Sequence, residues 1–364
     1  MSKILILANN YNTLRIFRRE LICEIVRRGH EVAVSIPNTD EENIKLLESY
    51  GCNILITNME RRGRNPLKDI VLYLNYRKLL NKEIPDKVIT YTIKPNIYGA
   101  LACKSKHITY YANVTGLGSA FQSKSFINKV VSLLYKISLN KAKKIFFENT
   151  GDRDRLVGDN IVRLDQTIVM PGAGVNLDEF DFVEYPSYDQ EIRFLFIGRI
   201  MKEKGVDELF YAIKKLGYEY PMASFGILGW YEDEYKEVVE SLQAEGLIQY
   251  YGFQLDVRPY IEKAHCIVLP SYHEGMSNTL LEGAAMGRPL ITSNIHGCKE
   301  AVLNEESGYL VNAKDGEDLY QKLKKFIKSP YKEKVKMGKS SRTHIEKSFD
   351  KKKVVNMTIQ ELEI

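Results

Sequence analysis

The sequence predicts an α/β protein of two domains, each a parallel sheet with helices on its faces. Three observations carry this. The chain opens on an apolar run, an amphipathic stretch and a second apolar run, which is the β-α-β unit of a parallel sheet. The same alternation starts afresh at Ile192. The 364 residues suit two domains of ordinary size.

Lys3 to Ala8 reads as the first strand, Asn9 to Thr13 as a polar loop, Leu14 to Arg28 as a helix ended by Gly29, and His30 to Ile36 as the second strand. A dinucleotide fold would carry G-x-G-x-x-G in that first loop. The loop here, NNYNT, holds no glycine, which argues against a nicotinamide site. Asn9 and Asn10 follow a strand's carboxyl end, where open α/β sheets bind ligands, and asparagines are equally at home in a plain turn. Arg15, Arg18, Arg19, Arg27 and Arg28 mark the helix, and Arg61, Arg62 and Arg64 form a second cluster. Each group is either a solvated face or a contact for anionic lipid or pyrophosphate. Val88 to Thr92 is a strand leading into the loop TIKPNIYG, whose Lys94 either meets a phosphate as a point charge or stands as a surface lysine.

Ile108 to Ala112 is the next strand, followed by NVTGLGSAF, where Gly116 and Gly118 allow close backbone approach. Phe126 to Leu139 repeats apolar residues at helical period amid Lys124, Lys129, Lys136, Lys141, Lys143 and Lys144. It covers the sheet, lies on a lipid surface, or does both. Lys144 to Glu148 reads as a strand and Thr150 to Val157 as a short helix. The interdomain link is placed at Pro171 to Asn176, where Gly172 and Gly174 can absorb backbone rotation. The first domain is thus 1–170 and the second 171–348, with 349–364 a last helix.

In the second half, Ile192 to Ile197 is a strand running into GRIMKEKGVDEL. Arg199 and Lys204 in that loop can converge on a diphosphate, the one through its fork and the other through its point charge. Ala223 to Leu228 is a strand, Glu232 to Ala244 a helix, and Ile248 to Tyr251 a strand. His265 and His273 read as structural. Cys266 to Leu269 is a buried strand, Ser271 to Met276 a loop, Ser277 an N-cap, Asn278 to Met286 a helix that Gly287 ends, and Pro289 to Thr292 a strand. Lys314 to Lys328 and Tyr331 to Ser348 read as helices.

The helix start at Ser277 to Thr279 has unpaired N–H groups and a partial positive charge, so an anionic group can sit there. Glu274 precedes that start and Glu282 lies about a turn inside it. Two carboxylates beside an anion site would repel a phosphate. They make sense if each accepts hydrogen bonds from hydroxyls of one ligand, and a sugar nucleotide has hydroxyls on both sides of its diphosphate.

With its surroundings, PSYHEGMSNTLLE, GRPLITSNIHGCKE and the upstream GRIMKEKG, this pair resembles the E-x7-E motif of the retaining glycosyltransferases of family four. The resemblance implies the GT-B fold: two Rossmann-like domains facing across a cleft, with the C-terminal helix returning to the first domain. It implies that Arg199 and Lys204 bind the donor diphosphate and stabilise the departing nucleotide, and that Glu274 positions the transferred sugar. Glu282 holds the ribose, and Gly275, Met276, Ser277 and Asn278 complete the donor site. Gly229 and Phe253 stand near the base. Relatives often place a histidine near NVTGLGSAF, close to the transferred sugar; this sequence has Asn113 and Thr115 instead. With Asn9 and Lys94 these are the expected acceptor-side residues. The activity implied is transfer of a hexose or N-acetylhexosamine from a UDP-linked sugar to a polyprenyl-diphosphate-linked saccharide, in capsule, O-antigen or similar polysaccharide assembly. The nucleotide sugar is substrate, and no cofactor or metal is expected. Two rivals stay open: an epimerase of UDP-N-acetylglucosamine on the same fold, and a catalytically silent nucleotide-sugar-binding protein.

The net charge of +5 hides an asymmetry: residues 1–170 carry +11 and residues 171–364 carry −6. A basic first half suggests an anionic partner there, and the implied acceptor points to the inner face of a membrane. A nucleic-acid role is disfavoured, because the basic clusters lack interleaved aromatics in a recognisable module. The five cysteines, widely spaced and without C-x-x-C, suggest reduced thiols in the cytoplasm. No run is apolar enough for a leader or a membrane span.

Overall fold

The computed structural model describes residues 1–60, 65–118, 121, 126–187 and 191–364. Arg61, Arg62, Arg64, Lys124 and the Ser119–Ala120 end of the NVTGLGSAF loop lie outside the described residues. The chain divides into two compact units: Met1–Ala173 with Lys351–Ile364, and Gly174–Asp350.

The first unit runs β1 (Lys3–Leu7), α1 (Tyr11–Phe17), α2 (Arg19–Arg27), β2 (Glu31–Ile36), α3 (Glu41–Glu48), β3 (Asn53–Ile56), α4 (Pro66–Glu83), β4 (Lys87–Tyr91), α5 (Ala100–Lys106), β5 (Thr109–Val114), α6 (Phe126–Leu139), β6 (Lys144–Phe147), α7 (Thr150–Gly158) and β7 (Thr167–Val169). Its seven strands form one parallel sheet in the order β3-β2-β1-β4-β5-β6-β7. Alternation along the strands sorts the core. Leu5, Leu7, Val88 and Ala112 face α4, α5 and α6, while Ile4, Ile6, Val34 and Ile89 face α2 and the C-terminal helix.

Three expectations are corrected here. The loop expected over Asn9 to Thr13 is helical from Tyr11, because the Asn10 side chain caps it by accepting from the Thr13 N–H at 2.9 Å. The single helix expected from Leu14 is broken at Arg18, whose backbone (φ −128°) leaves the helical region. The loop expected after β4 is a π-helical turn over Pro95–Gly99. Between Pro37 and Lys87, where the sequence pattern assigns no element, lie α3, β3 and α4.

The second unit runs β8 (Ile192–Ile197), α8 (Val206–Glu219), β9 (Ala223–Leu228), α9 (Lys236–Ala244), β10 (Gln249–Gly252), α10 (Arg258–Lys263), β11 (Cys266–Leu269), α11 (Asn278–Ala285), β12 (Leu290–Ser293), β13 (Gly308–Val311), α12 (Gly316–Lys328) and α13 (Tyr331–Ser348). Its six-stranded parallel sheet has the order β10-β9-β8-β11-β12-β13. Phe194 and Phe225 stack at 4.9 Å in its core. The helix expected from Glu232 starts at Lys236, because the Glu232 and Asp233 N–H groups donate back to the Ile200 carbonyl and the Tyr235 N–H to the Asp233 carbonyl. The last helix, α14 (Lys351–Leu362), belongs to the first unit. It packs on α2, and its Leu362 carbonyl accepts from Lys87 Nζ at 2.7 Å.

Candidate active site

Both sheets reverse their order of growth at one seam. In the second unit the chain moves outward through β8, β9 and β10, then returns to lay β11 beside β8. Loops leaving the carboxyl ends of two strands at such a seam diverge, and the space between them is where open α/β sheets bind ligands. The loops in question are 198–205 after β8 and 270–277 after β11.

Gly205 brings these loops together. It sits at φ +71°, and a Cβ there would lie 2.0 Å from the Pro270 carbonyl oxygen. Only a residue without a side chain meets both conditions. The contact is sealed by the Tyr272 N–H, which donates to the Glu203 carbonyl at 2.8 Å. Lys204 Nζ consequently donates to Glu274 Oε1, and Ser271 Oγ donates to the same oxygen at 2.8 Å. Lys204 and Glu274 are 17% and 13% exposed, shielded enough for their charges to act strongly yet still reachable. Beneath them lies Cys298, whose thiol is pushed up by burial first and then by the Glu274 charge.

Arg199 stands in the same loop, its Nη1 3.5 Å from Glu232, a residue that also accepts from Trp230 Nε1 at 3.3 Å. Gly229 closes β9 at φ +146°, where a Cβ would overlap the Gly198 carbonyl oxygen at 1.8 Å. That approach holds the loop after β9 against the start of the Arg199 loop. Next to it, Trp230 and Phe253 meet edge to face at 5.2 Å, both about half exposed. Large aromatics left open at a sheet's carboxyl edge are suited to stacking on a planar ring. Phe253 was expected there. Trp230 was missed, although it is the chain's one tryptophan and follows the strand directly.

Ser277 occupies the N-cap position of α11, but its side chain makes no capping bond, which corrects the expectation. Its own N–H is held by the Gly297 carbonyl at 2.8 Å. The first turn of α11 thus has no side-chain cap, the condition for an anion to take that place. Asn278 and Gly275 are half-buried there, whereas Met276 is 5% exposed and its side chain belongs to the core. Glu282 is half-buried on α11. His265 is a core residue, as expected, with its Nδ1 accepting from the Arg193 N–H.

In the first unit the seam lies between β1 and β4. Asn9 follows β1, and its Oδ1 is buried without a hydrogen-bond partner. Thr92, after β4, sits at φ +74° with its hydroxyl likewise unpartnered. Lys94 turns to Asp69 at 2.7 Å, so its charge is committed to α4. The Asn113 side chain donates to the Thr90 carbonyl at 3.3 Å, and Thr115 is half-buried just beyond. Asn113 also lines a small cavity with Arg18, Tyr91, Glu148 and Met170. Arg18 donates to Glu148 at 3.0 Å and lies 4.8 Å from the Tyr91 ring centre. This buried pair was missed, because Arg18 reads as one member of a charge run; its place at a helix break is visible only in three dimensions.

Among the described residues no cluster of three or more His, Cys, Asp and Glu could hold a metal ion, and no helix is long and apolar enough to cross a membrane.

Comparison with known proteins agrees with this layout. A family model described as Glycosyl transferase 4-like matches residues 3–149, and one described as Glycosyl transferases group 1 matches residues 178–344. The N,N'-diacetylbacillosaminyl-diphospho-undecaprenol alpha-1,3-N-acetylgalactosaminyltransferase of Campylobacter jejuni is 26% identical over 325 residues, 84% of each chain. The UDP-Gal:alpha-D-GlcNAc-diphosphoundecaprenol alpha-1,3-galactosyltransferase of Escherichia coli is 27% identical over 272 residues, 70% of this chain and 69% of the other. The crystal structure of Anabaena HepE in complex with UDP and glucose superposes with a TM-score of 0.81 at 14% identity, covering 100% of both chains, and shows the fold to be GT-B. The chain belongs to the glycosyltransferases, with a 4-like first half and a group 1 second half.

Proposed function

We propose that the protein transfers a hexose or N-acetylhexosamine, with retention of configuration, from a UDP-linked sugar to a polyprenyl-diphosphate-linked saccharide in surface polysaccharide assembly. The observation that carries this is the meeting of Lys204 and Glu274 at the seam of the second sheet, beside an uncapped helix start. A cation and a carboxylate in contact suit a ligand whose diphosphate adjoins hydroxyls, which describes a nucleotide sugar. Trp230 and Phe253 offer a platform for the base. The names of the C. jejuni and E. coli relatives, both of which act on diphospho-undecaprenol-linked sugars, support the acceptor class.

In this reading Arg199, Lys204 and the first turn of α11 hold the diphosphate. They stabilise the negative charge that grows on it as the bond to the sugar breaks, the interaction that lowers the barrier. Glu274 accepts from hydroxyls of the transferred sugar and steadies its developing positive charge, and Glu282 accepts from the ribose. The acceptor hydroxyl attacks on the face the diphosphate leaves, and its proton passes to the departing oxygen. The first unit binds the acceptor, and its positive charge meets the anionic inner face of the membrane where that acceptor resides.

The test is a panel of UDP- and GDP-sugars with a polyprenyl-diphosphate saccharide, the anomeric configuration of the product being read by NMR. Transfer from a UDP-sugar with retention is expected. Inversion, or conversion of the donor with no acceptor present, would overturn the proposal.

A further inference from the structure

The loop that carries Glu274 is fixed at both ends. Pro270 meets Gly205 at its start, and the Ser277 N–H donates to the Gly297 carbonyl at 2.8 Å at its finish. Residues 270–277 belong to no helix or strand, so no ladder of backbone bonds holds the middle, where Glu274 stands.

Tyr272, two residues before Glu274, holds that middle from the side. It is 8% exposed, and its hydroxyl stands 2.7 and 2.6 Å from the two carboxylate oxygens of Glu208. A phenol proton shared between two oxygens of a carboxylate makes a charge-assisted bond, shorter and stronger than a neutral one. Burial first, and then the bond to Glu208, push the Tyr272 phenol up, which keeps it a donor. The Lys314 ammonium, in the turn between β13 and α12, lies 5.1 Å from the centre of the same ring.

Glu208 is in the first turn of α8, just past Gly205. The Tyr272 N–H donates to the Glu203 carbonyl at 2.8 Å, so backbone and side chain of one residue are fastened to a single stretch of chain, Glu203 to Glu208. One fastening would leave the segment free to pivot; two remove the pivot and fix the direction in which Glu274 leaves the loop. A sister pair lies on the same turn of α8, where the Tyr235 hydroxyl donates to Asp207 Oδ1 at 2.8 Å. Tyr235 precedes α9 and is no part of the 270–277 loop, so it offers the same chemistry without the tether.

We infer that Tyr272, through Glu208, is a positioning residue that aims Glu274 at the transferred sugar. Its purpose rests on the proposed role of Glu274, and one arm of its test is independent of that role.

In Tyr272→Phe the ring stays and the bond goes. The diphosphate and base contacts still hold the donor, so KM for the nucleotide sugar should stay within about two-fold. The kcat should fall about ten-fold, because Glu274 acts as positive charge develops on the sugar. Glu208→Ala should lose as much. Glu208→Gln keeps an acceptor oxygen and should hold kcat within about three-fold of wild type. The double variant Tyr272→Phe/Glu208→Ala should lose no more than either single one, since both remove one interaction. Tyr235→Phe should keep its kcat. The independent arm is Cys298, buried beneath Glu274. Its labelling by an aromatic disulfide, read by mass spectrometry, should be about ten-fold faster in Tyr272→Phe and Glu208→Ala, as the loop above it opens more often. Cys52 and Cys103, buried in the first unit, are the internal references and should not change. Wild-type kcat in Tyr272→Phe, a loss carried by KM, an equal loss in Tyr235→Phe, additive losses in the double variant, or unchanged Cys298 labelling would each overturn the inference. If wild type transfers no sugar, the enzymatic reading fails and Cys298 labelling alone decides the tether.

Discussion

Gly205→Ala puts the assembly of the active site under direct strain. Two costs can be separated. An alanine at φ +71° pays ~1–2 kcal/mol for the left-handed backbone. Its Cβ also starts 2.0 Å from the Pro270 carbonyl oxygen, so reaching ordinary contact near 3.4 Å needs a displacement of about 1.4 Å. Because backbone stands on both sides of the contact, the loops themselves must part, carrying Lys204 from Glu274. A misplacement on the order of 1 Å at a reacting centre costs roughly 10²-fold in rate. Gly246→Ala is the control: Gly246 has φ +73° with nothing within 4 Å of a built Cβ. It pays the same backbone cost and displaces nothing. The assay is thermal melting together with kcat/KM for sugar transfer. Both variants should melt lower, Gly205→Ala by more because it carries the clash as well as the backbone cost, and only Gly205→Ala should lose about 100-fold in kcat/KM. Equal kinetics in the two variants would refute the claim that the close approach at Gly205 positions the site.

Further outcomes follow from single side chains. Trp230→Ala should raise the KM for the nucleotide sugar several-fold with a smaller change in kcat, since a stacked base is held equally in ground and transition states; an unchanged KM would remove Trp230 from the donor site. Glu148→Ala leaves the Arg18 guanidinium buried without its carboxylate and should cost about 3 kcal/mol in a denaturant melt, whereas a loss under 1 kcal/mol would show that the pair is solvated. Of the five thiols, Cys23 alone is exposed, so an aromatic disulfide reagent should titrate one thiol in the native protein and five in guanidinium; fast reaction of a second native thiol would contradict the buried placement of Cys52, Cys103, Cys266 and Cys298.

How much of this was readable in the chain differs between the halves. The strands Ile192–Ile197, Ala223–Leu228 and Cys266–Leu269 were read to the residue, because each is a short apolar run bounded by glycine, proline or charge. In the first half α4 had no readable period, and the reason is physical: Leu72, Tyr76 and Leu80 face the core while Leu67, Ile70, Val71 and Leu74 face outward, so apolar residues occupy both sides of the helix. The feature that hid the helix is the one that marks its outer surface. The roles of Gly205 and Gly229 were illegible for another cause, since each is defined by a carbonyl distant in sequence or on a neighbouring strand. Arg18 illustrates the limit of charge counting: one arginine in a run is buried against Glu148 and Tyr91, 130 and 73 positions away, as only the folded sheet can arrange.

The central claim is that the carboxyl edge of the second sheet stabilises a departing diphosphate. The most direct measurement is kcat for sugar transfer by Lys204→Ala and Arg199→Ala, with folding checked by circular dichroism. Each loss should raise the barrier by roughly 2–4 kcal/mol, a fall in kcat of about 30- to 1,000-fold. Turnover within a few-fold of wild type in either folded variant would contradict the account.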